Sequence, residues 1–146
     1  GVCFAVRKLA VGLKPDVKIS NNENGWNIRT ESTFKNTDLC FVLNELFEET
    51  TADGRTCKTI CTLEDGKLIQ HQKWDDKGVE RESTITREVQ NDQMITTIFT
   101  LEDGKLIQSQ KWDCKESIIT REVQNDQMIT NCTYGNVKCR RVYEKN

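Results

Sequence analysis

Histidine is almost missing from this chain of 146 residues: His71 is the single one. A Ser/His/Asp relay has little to be built from, and no glycine-rich phosphate loop occurs, so an enzyme is not expected. None of the seven cysteines (Cys3, Cys40, Cys57, Cys61, Cys114, Cys132, Cys139) falls in a CxxC spacing. His71 cannot complete a Cys/His zinc set with them, so neither metal nor cofactor is expected. Seven is also an odd number, and the plain reading is small buried hydrophobes in a reducing compartment. No apolar run approaches a membrane span. A net charge of -2 gives no bulk electrostatic case for nucleic acid. The stretch opens at Gly1 without a basic n-region, so no secretory signal is expected. Apolar residues reach only 36%, which suits a sheet with one wet face better than a solid core.

What the chain does have is a long internal repeat. Thr62 to Lys77 reads TLEDGKLIQHQKWDDK, and Thr100 to Lys115 reads TLEDGKLIQSQKWDCK. After Gly78, Val79, Glu80 and Arg81, which the second copy lacks, Glu82 to Thr96 (ESTITREVQNDQMIT) matches Glu116 to Thr130 (ESIITREVQNDQMIT). A solenoid needs at least three stacked copies. Two copies (59–96 and 97–130) flanked by unrelated sequence imply a single domain over residues 1–146, with a block of strands present twice.

Val2, Val6, Leu9 and Leu13 recur at helical spacing, so residues 1–14 are predicted to form a short helix ended by Pro15. Beyond it the pattern changes to short alternating strands between polar turns. Asp65-Gly66 and Asp103-Gly104 are the strongest hairpin signals. The fold class is all-β, an antiparallel barrel or sandwich.

Alternate residues of a strand share a face. Arg87 therefore points with Ser83, Ile85 and Val89, Arg121 with Ser117, Ile119 and Val123, and Arg141 with Val137, Cys139 and Tyr143. A buried guanidinium is costly unless paired, and a ligand carboxylate would satisfy it, assisted by a tyrosine hydroxyl. The other reading, in which these arginines reach water at a barrel mouth, stays open. Gln70 and Gln72 share a face with Leu68 and Trp74, which suggests a wet, polar-lined interior.

The segments GVCFAVRKLAVGLKPD, IRTESTFKNT, FEETTADGRT, QKWD, KESIITRE and CRRVYEKN resemble the intracellular fatty acid-binding proteins, in their epidermal, adipocyte, myelin and heart branch. The resemblance implies an antiparallel up-and-down barrel with a helical lid and an internal lipid cavity. It implies a cytoplasmic carrier of long-chain fatty acids, in some members also nuclear. Arg141-Val142-Tyr143 matches the family's carboxylate-binding Arg-x-Tyr. A further family arginine is matched twice, by Arg87 and Arg121. Phe34 and Asp53 match residues flanking the lipid portal, and Val6 matches the lid. Arg7 and Lys8 match part of a basic patch used for transient membrane contact, or form a solvated helix face. Cys132 and Cys139 match a pair typical of the epidermal type and, across a tight turn, are expected as neighbours able to bridge on oxidation.

Two departures stand out. The family's first strand and first helix have no counterpart here, and the repeat adds three strands. Nine strands plus three make twelve, an even count that closes an all-antiparallel ring and widens the cavity. Arg121 is expected nearer to Arg141, with Arg87 across the wider cavity beside water or a second anion. Residues 96–99, where the copies join, must serve two inward patterns that differ by one residue, so a β-bulge or sharp twist with Phe99 inside is expected there. The alternative function is a structural barrel variant with weak or no lipid binding, prone to strand swapping or homo-oligomers.

Overall fold

The computed structural model describes residues 16–32, 35–113 and 115–144. The expected N-terminal helix, with Val6, Arg7 and Lys8, lies outside the described residues, as does Phe34. The chain divides into two compact units, residues 1–61 and 62–146. The second unit begins at Thr62, inside the first copy.

The described residues form twelve strands, the number expected: β1 Asp16–Asn22, β2 Gly25–Glu31, β3 Thr37–Phe41, β4 Leu46–Thr50, β5 Thr56–Glu64, β6 Lys67–Asp76, β7 Val79–Gln90, β8 Gln93–Glu102, β9 Lys105–Trp112, β10 Lys115–Gln124, β11 Gln127–Tyr134 and β12 Val137–Glu144. In the first unit β1, β2 and β3 form an antiparallel sheet in chain order. β4 and β5 form a hairpin in which Leu46 faces Ile60. Ile28 and Phe41 are buried, and Phe41 stacks on Phe47 with ring centroids 5.8 Å apart. Along β5 the alternation is strict: Cys57, Thr59 and Cys61 are all but sealed from solvent.

In the second unit β6 to β12 follow one another as an up-and-down meander, each pairing antiparallel with the next. The turn chemistry explains the topology. Asp65-Gly66 has φ of 48° and 75°, and Asp103-Gly104 has 50° and 72°. Lys77-Gly78, Asn91-Asp92 and Asn125-Asp126 are likewise left-handed at both positions. That is the two-residue hairpin geometry whose twist matches the flanking strands.

The two copies fold as replicate hairpins. Leu68 faces Arg87 across β6–β7, and Leu106 faces Arg121 across β9–β10. The ion pair Lys67–Glu88 (3.2 Å) recurs as Lys105–Glu122 (2.9 Å), and Lys73–Glu82 (3.8 Å) as Lys111–Glu116 (3.6 Å). The four extra residues of the first copy only lengthen its hairpin, adding rungs such as Asp76–Val79 beyond Trp74–Arg81.

The joint does not behave as expected. β8 pairs with β7 without interruption from Gln93 to Leu101, and with β9 from Thr96 to Glu102. There is no bulge between Thr96 and Phe99, and Phe99 is half-buried. Directly paired residues share a face. Arg87 is level with Thr96 and Lys111, whereas Arg121 is level with Leu106, which is level with Leu101, which is level with Glu82. Glu82 and Arg87 are five residues apart on β7, an odd step. The replicate hairpins therefore present their matching residues on opposite faces of one sheet. The family's inward pattern does not carry through the fused strand.

Two glycines test the backbone constraints. A Cβ at Gly104 (φ 72°) meets open space, whereas one at Gly25 (φ 128°) would sit 2.6 Å from the carbonyl oxygen of Phe41. Gly104→Ala is expected to cost about 1 kcal/mol, the strain of a left-handed L-residue. Gly25→Ala adds a clash with backbone and should cost clearly more; urea unfolding of the two variants side by side checks the order.

Candidate functional site

The last three strands bring together residues far apart in sequence. Arg121 of β10 pairs with Thr130 of β11, and Thr130 pairs with Arg141 of β12. All three lie on one rung and one face. The two arginine Cα atoms are two strand spacings apart, about 9.5 Å, within converging reach of their long side chains. Arg121 is half-buried, and its Nη1 donates to Gln108 Oε1 at 3.1 Å. The neighbouring Tyr143 phenol, and secondarily the Cys139 thiol, push the pKa of Arg141 further up. It stays a cation under all ordinary conditions. Between the two arginines along the rung, Thr130 Oγ1 is buried without a hydrogen-bond partner. An orphaned hydroxyl of this kind is costly and calls for an explanation.

Apolar surface flanks this rung on both sides. One rung further, Val123, Met128 and Tyr143 are level with each other and, with Asp126 and Glu144, line a hollow of about 370 Å³. On the other side come Ile119, Cys132 and Cys139, then Tyr134, which stacks on Trp112 at 5.9 Å. The site is thus a pair of cations set in an apolar strip. The carboxylates Asp126 and Glu144 make the hollow itself unfavourable to an anion.

The remaining sequence candidates are placed elsewhere. Gln70 and Gln72 are buried, at 3% and 5% exposure, and Gln70 Oε1 accepts a hydrogen bond from Arg87 Nη1 at 2.9 Å. That pair lies on the opposite face of the sheet, so Arg87 does not join Arg121 and Arg141. Arg141 differs from the expectation of a buried group: it and every other residue of β12 are exposed. Asp53 sits in the turn after β4, in the first unit, where Arg55 Nε approaches its carboxylate at 2.9 Å. Partial burial alone would raise its pKa, but hydrogen bonds from Arg55 and Thr51 outweigh it and hold the group below the ordinary aspartate value. That contribution to stability is present at neutral pH and is lost as pH falls through the depressed pKa. Val6 and Phe34 lie outside the described residues.

Two residues of this site were not singled out from the sequence. Gln108 is the copy of Gln70 and was findable through the repeat. Thr130 carried no signal beyond alternation with Met128 and Cys132.

Three comparisons bear on this site. The chain matches the Lipocalin / cytosolic fatty-acid binding protein family over residues 1–100, a match that ends where the second copy begins. It is 50% identical over 95 residues to fatty acid-binding protein 5 of Mus musculus, covering 65% of this chain and 67% of the mouse protein. The Homo sapiens protein of that name is 46% identical over 95 residues, with the same coverage. Among solved structures, apo lipid binding protein 8 of Caenorhabditis elegans superposes with a TM-score of 0.51 at 25% identity, over 100% of this chain and 80% of that one.

Cys132 and Cys139 are directly opposite on β11 and β12, and both are free thiols. Facing residues of an antiparallel pair have Cα atoms about 4.5–5.5 Å apart, inside the range a disulfide spans. Mild oxidation of the folded protein should therefore lower the titratable thiols from seven to five. Cys139→Ser should abolish that loss, and six thiols persisting in the variant with seven persisting in the oxidised parent would contradict the pairing.

Proposed function

We propose, for a chain that belongs to the lipocalin / cytosolic fatty-acid binding protein family, that it carries a long-chain fatty acid with the carboxylate held by Arg121, Arg141 and Tyr143. The family consists of carriers and not of enzymes. The observation that supports the clamp is the rung itself, two arginines on either side of a threonine whose hydroxyl is buried and unpartnered. A carboxylate bridging them accepts from both arginines and from Thr130, and Tyr143 adds a fourth donor. The acyl chain runs away from the rung on one side, over Ile119 and Cys132 toward Tyr134 and Trp112, gaining about 0.8 kcal/mol per buried methylene. Arginine rather than glutamine at these positions selects an acid over an alcohol.

The cytoplasm suits such a carrier, with nuclear entry and transient membrane contact through Arg7 and Lys8 as further parts of the reading. A second reading, a structural variant with little lipid affinity that self-associates, draws on the exposure of the whole of β12.

The two readings part in one titration. A fluorescent fatty acid should bind saturably, and oleate should displace it far better than methyl oleate. Arg121→Gln should weaken the acid by roughly 1.5–3 kcal/mol, the worth of a hydrogen bond to a charged group, and Arg141→Gln should weaken it as well. Equal displacement by acid and ester would remove the carboxylate clamp. Absence of any saturable binding would favour the second reading.

A further inference from the structure

The second unit ends in an edge strand, β12. Among the described residues β12 forms a ladder with β11 and with no other strand. All of its residues are exposed, Val142 at 48% and Tyr143 at 43% among them. Pairing with β11 runs unbroken from Val137 to Glu144, and no proline interrupts it. A bulge and a proline are two of the usual devices that keep an exposed edge from pairing, and β12 has neither.

The turn decides which backbone groups point outward. Gly135-Asn136 is a two-residue hairpin loop, with φ 55° at Gly135 and Tyr134 level with Val137. The two residues that close such a loop exchange both their hydrogen bonds. Cys139, Arg141 and Tyr143 follow in the same phase, bonded to β11. Lys138, Arg140, Val142 and Glu144 therefore turn their N–H and C=O groups away from the sheet. An incoming strand must bond to these, which restricts its register to alternate positions.

We infer that β12 is a docking edge for β12 of a second copy of this chain, paired antiparallel about a twofold axis at Val142. In that register Val142 is level with Val142, and Arg140 of each copy is level with Glu144 of the other. Arg141 of each copy is level with the second copy's Tyr143, a cation beside an aromatic ring. Charged side chains are a third device for protecting an edge, but these complement themselves across the axis. They also select the register, because like charges directly opposite destabilise a ladder and opposite charges stabilise it. An axis at Arg141 would pair Lys138 with Glu144 but set Arg141 against Arg141. An axis at Arg140 sets Arg140 against itself. An axis at Tyr143 sets Glu144 against Val142 and forfeits both ion pairs. Within its own chain Glu144 Oε1 accepts from Gln127 Nε2 at 3.2 Å, a neutral donor that leaves its charge in place.

The inference rests on the self-association reading and needs no loss of lipid affinity. The contact is short, so dimer and monomer are expected to exchange with concentration.

Sedimentation velocity of the full chain over a dilution series, with reductant to keep the thiols free, tests this. A monomer–dimer equilibrium is expected. Arg140→Glu and Glu144→Arg each turn two attractive pairs into two repulsive ones and should raise the dissociation constant roughly tenfold or more. The double variant Arg140→Glu/Glu144→Arg restores both pairs with their signs exchanged and should return the constant close to the parent's. Both positions are exposed, and an unchanged circular dichroism spectrum checks that each variant folds. A parent that stays monomeric throughout would overturn the docking edge and the self-association reading together. A dimer that ignores both single variants, or that the double variant fails to restore, would overturn the β12 pairing while self-association stands. Assemblies larger than a dimer would overturn the closed twofold contact.

Discussion

The strict two-residue alternation of an unbroken ladder is the constraint on which everything else in the second unit depends. Once β6 to β12 pair without a bulge, the face of each side chain follows from its position on a rung. An even change in length is harmless. The four residues added to the first hairpin lengthen it by two on each strand, so Lys73–Glu82 and Lys111–Glu116 keep the same register. The joint between the copies is an odd change. Thr96 ends one pattern and Thr97 begins the next, with no residue between them to absorb the step, and the second copy is turned over.

A bulge would have restored parity, and its absence has a local reason. A bulge leaves one residue unpaired and forfeits ladder hydrogen bonds worth about 1 kcal/mol each. It is favoured only when the face exchange buries polar or exposes apolar side chains. At the joint the exchange is nearly neutral. Thr96 and Thr97 are the same residue, and Ile95 and Ile98 place one isoleucine on each face. Phe99 is half-buried on the face it occupies, so little burial remains for a bulge to recover.

This is also where the sequence stops being legible. Strands and turns could be read almost to the residue, because Asp-Gly and Asn-Asp steps force left-handed hairpins between alternating segments. The shared face of Arg141 and Tyr143 was equally readable. The rung joining Arg121, Thr130 and Arg141 needs the register of two successive hairpins, which a single strand's pattern does not carry. Thr130 was passed over because threonine is common in strands, and only its burial without a partner marks it. Exposure along β12 depends on what lies beyond the strand, which alternation within it does not reveal. The expectation of a bulge failed because it assumed that the family's inward pattern outranks the local ladder.

The chemistry of the rung follows from how its charge is held. Gln108 orients Arg121 through a neutral amide oxygen, and Tyr143 orients Arg141 through a phenol. Neither partner cancels the charge it positions. Carboxylates in those places would have neutralised the guanidiniums and left nothing for a ligand. In the proposed clamp the two arginines stand on either side of Thr130 along the rung, and an anion held between them would relieve their mutual repulsion. An ester or alcohol brings acceptor atoms but no charge, so it leaves the repulsion in place. Selectivity for an acid, in the proposed clamp, is thus a property of neutral positioning groups around paired cations.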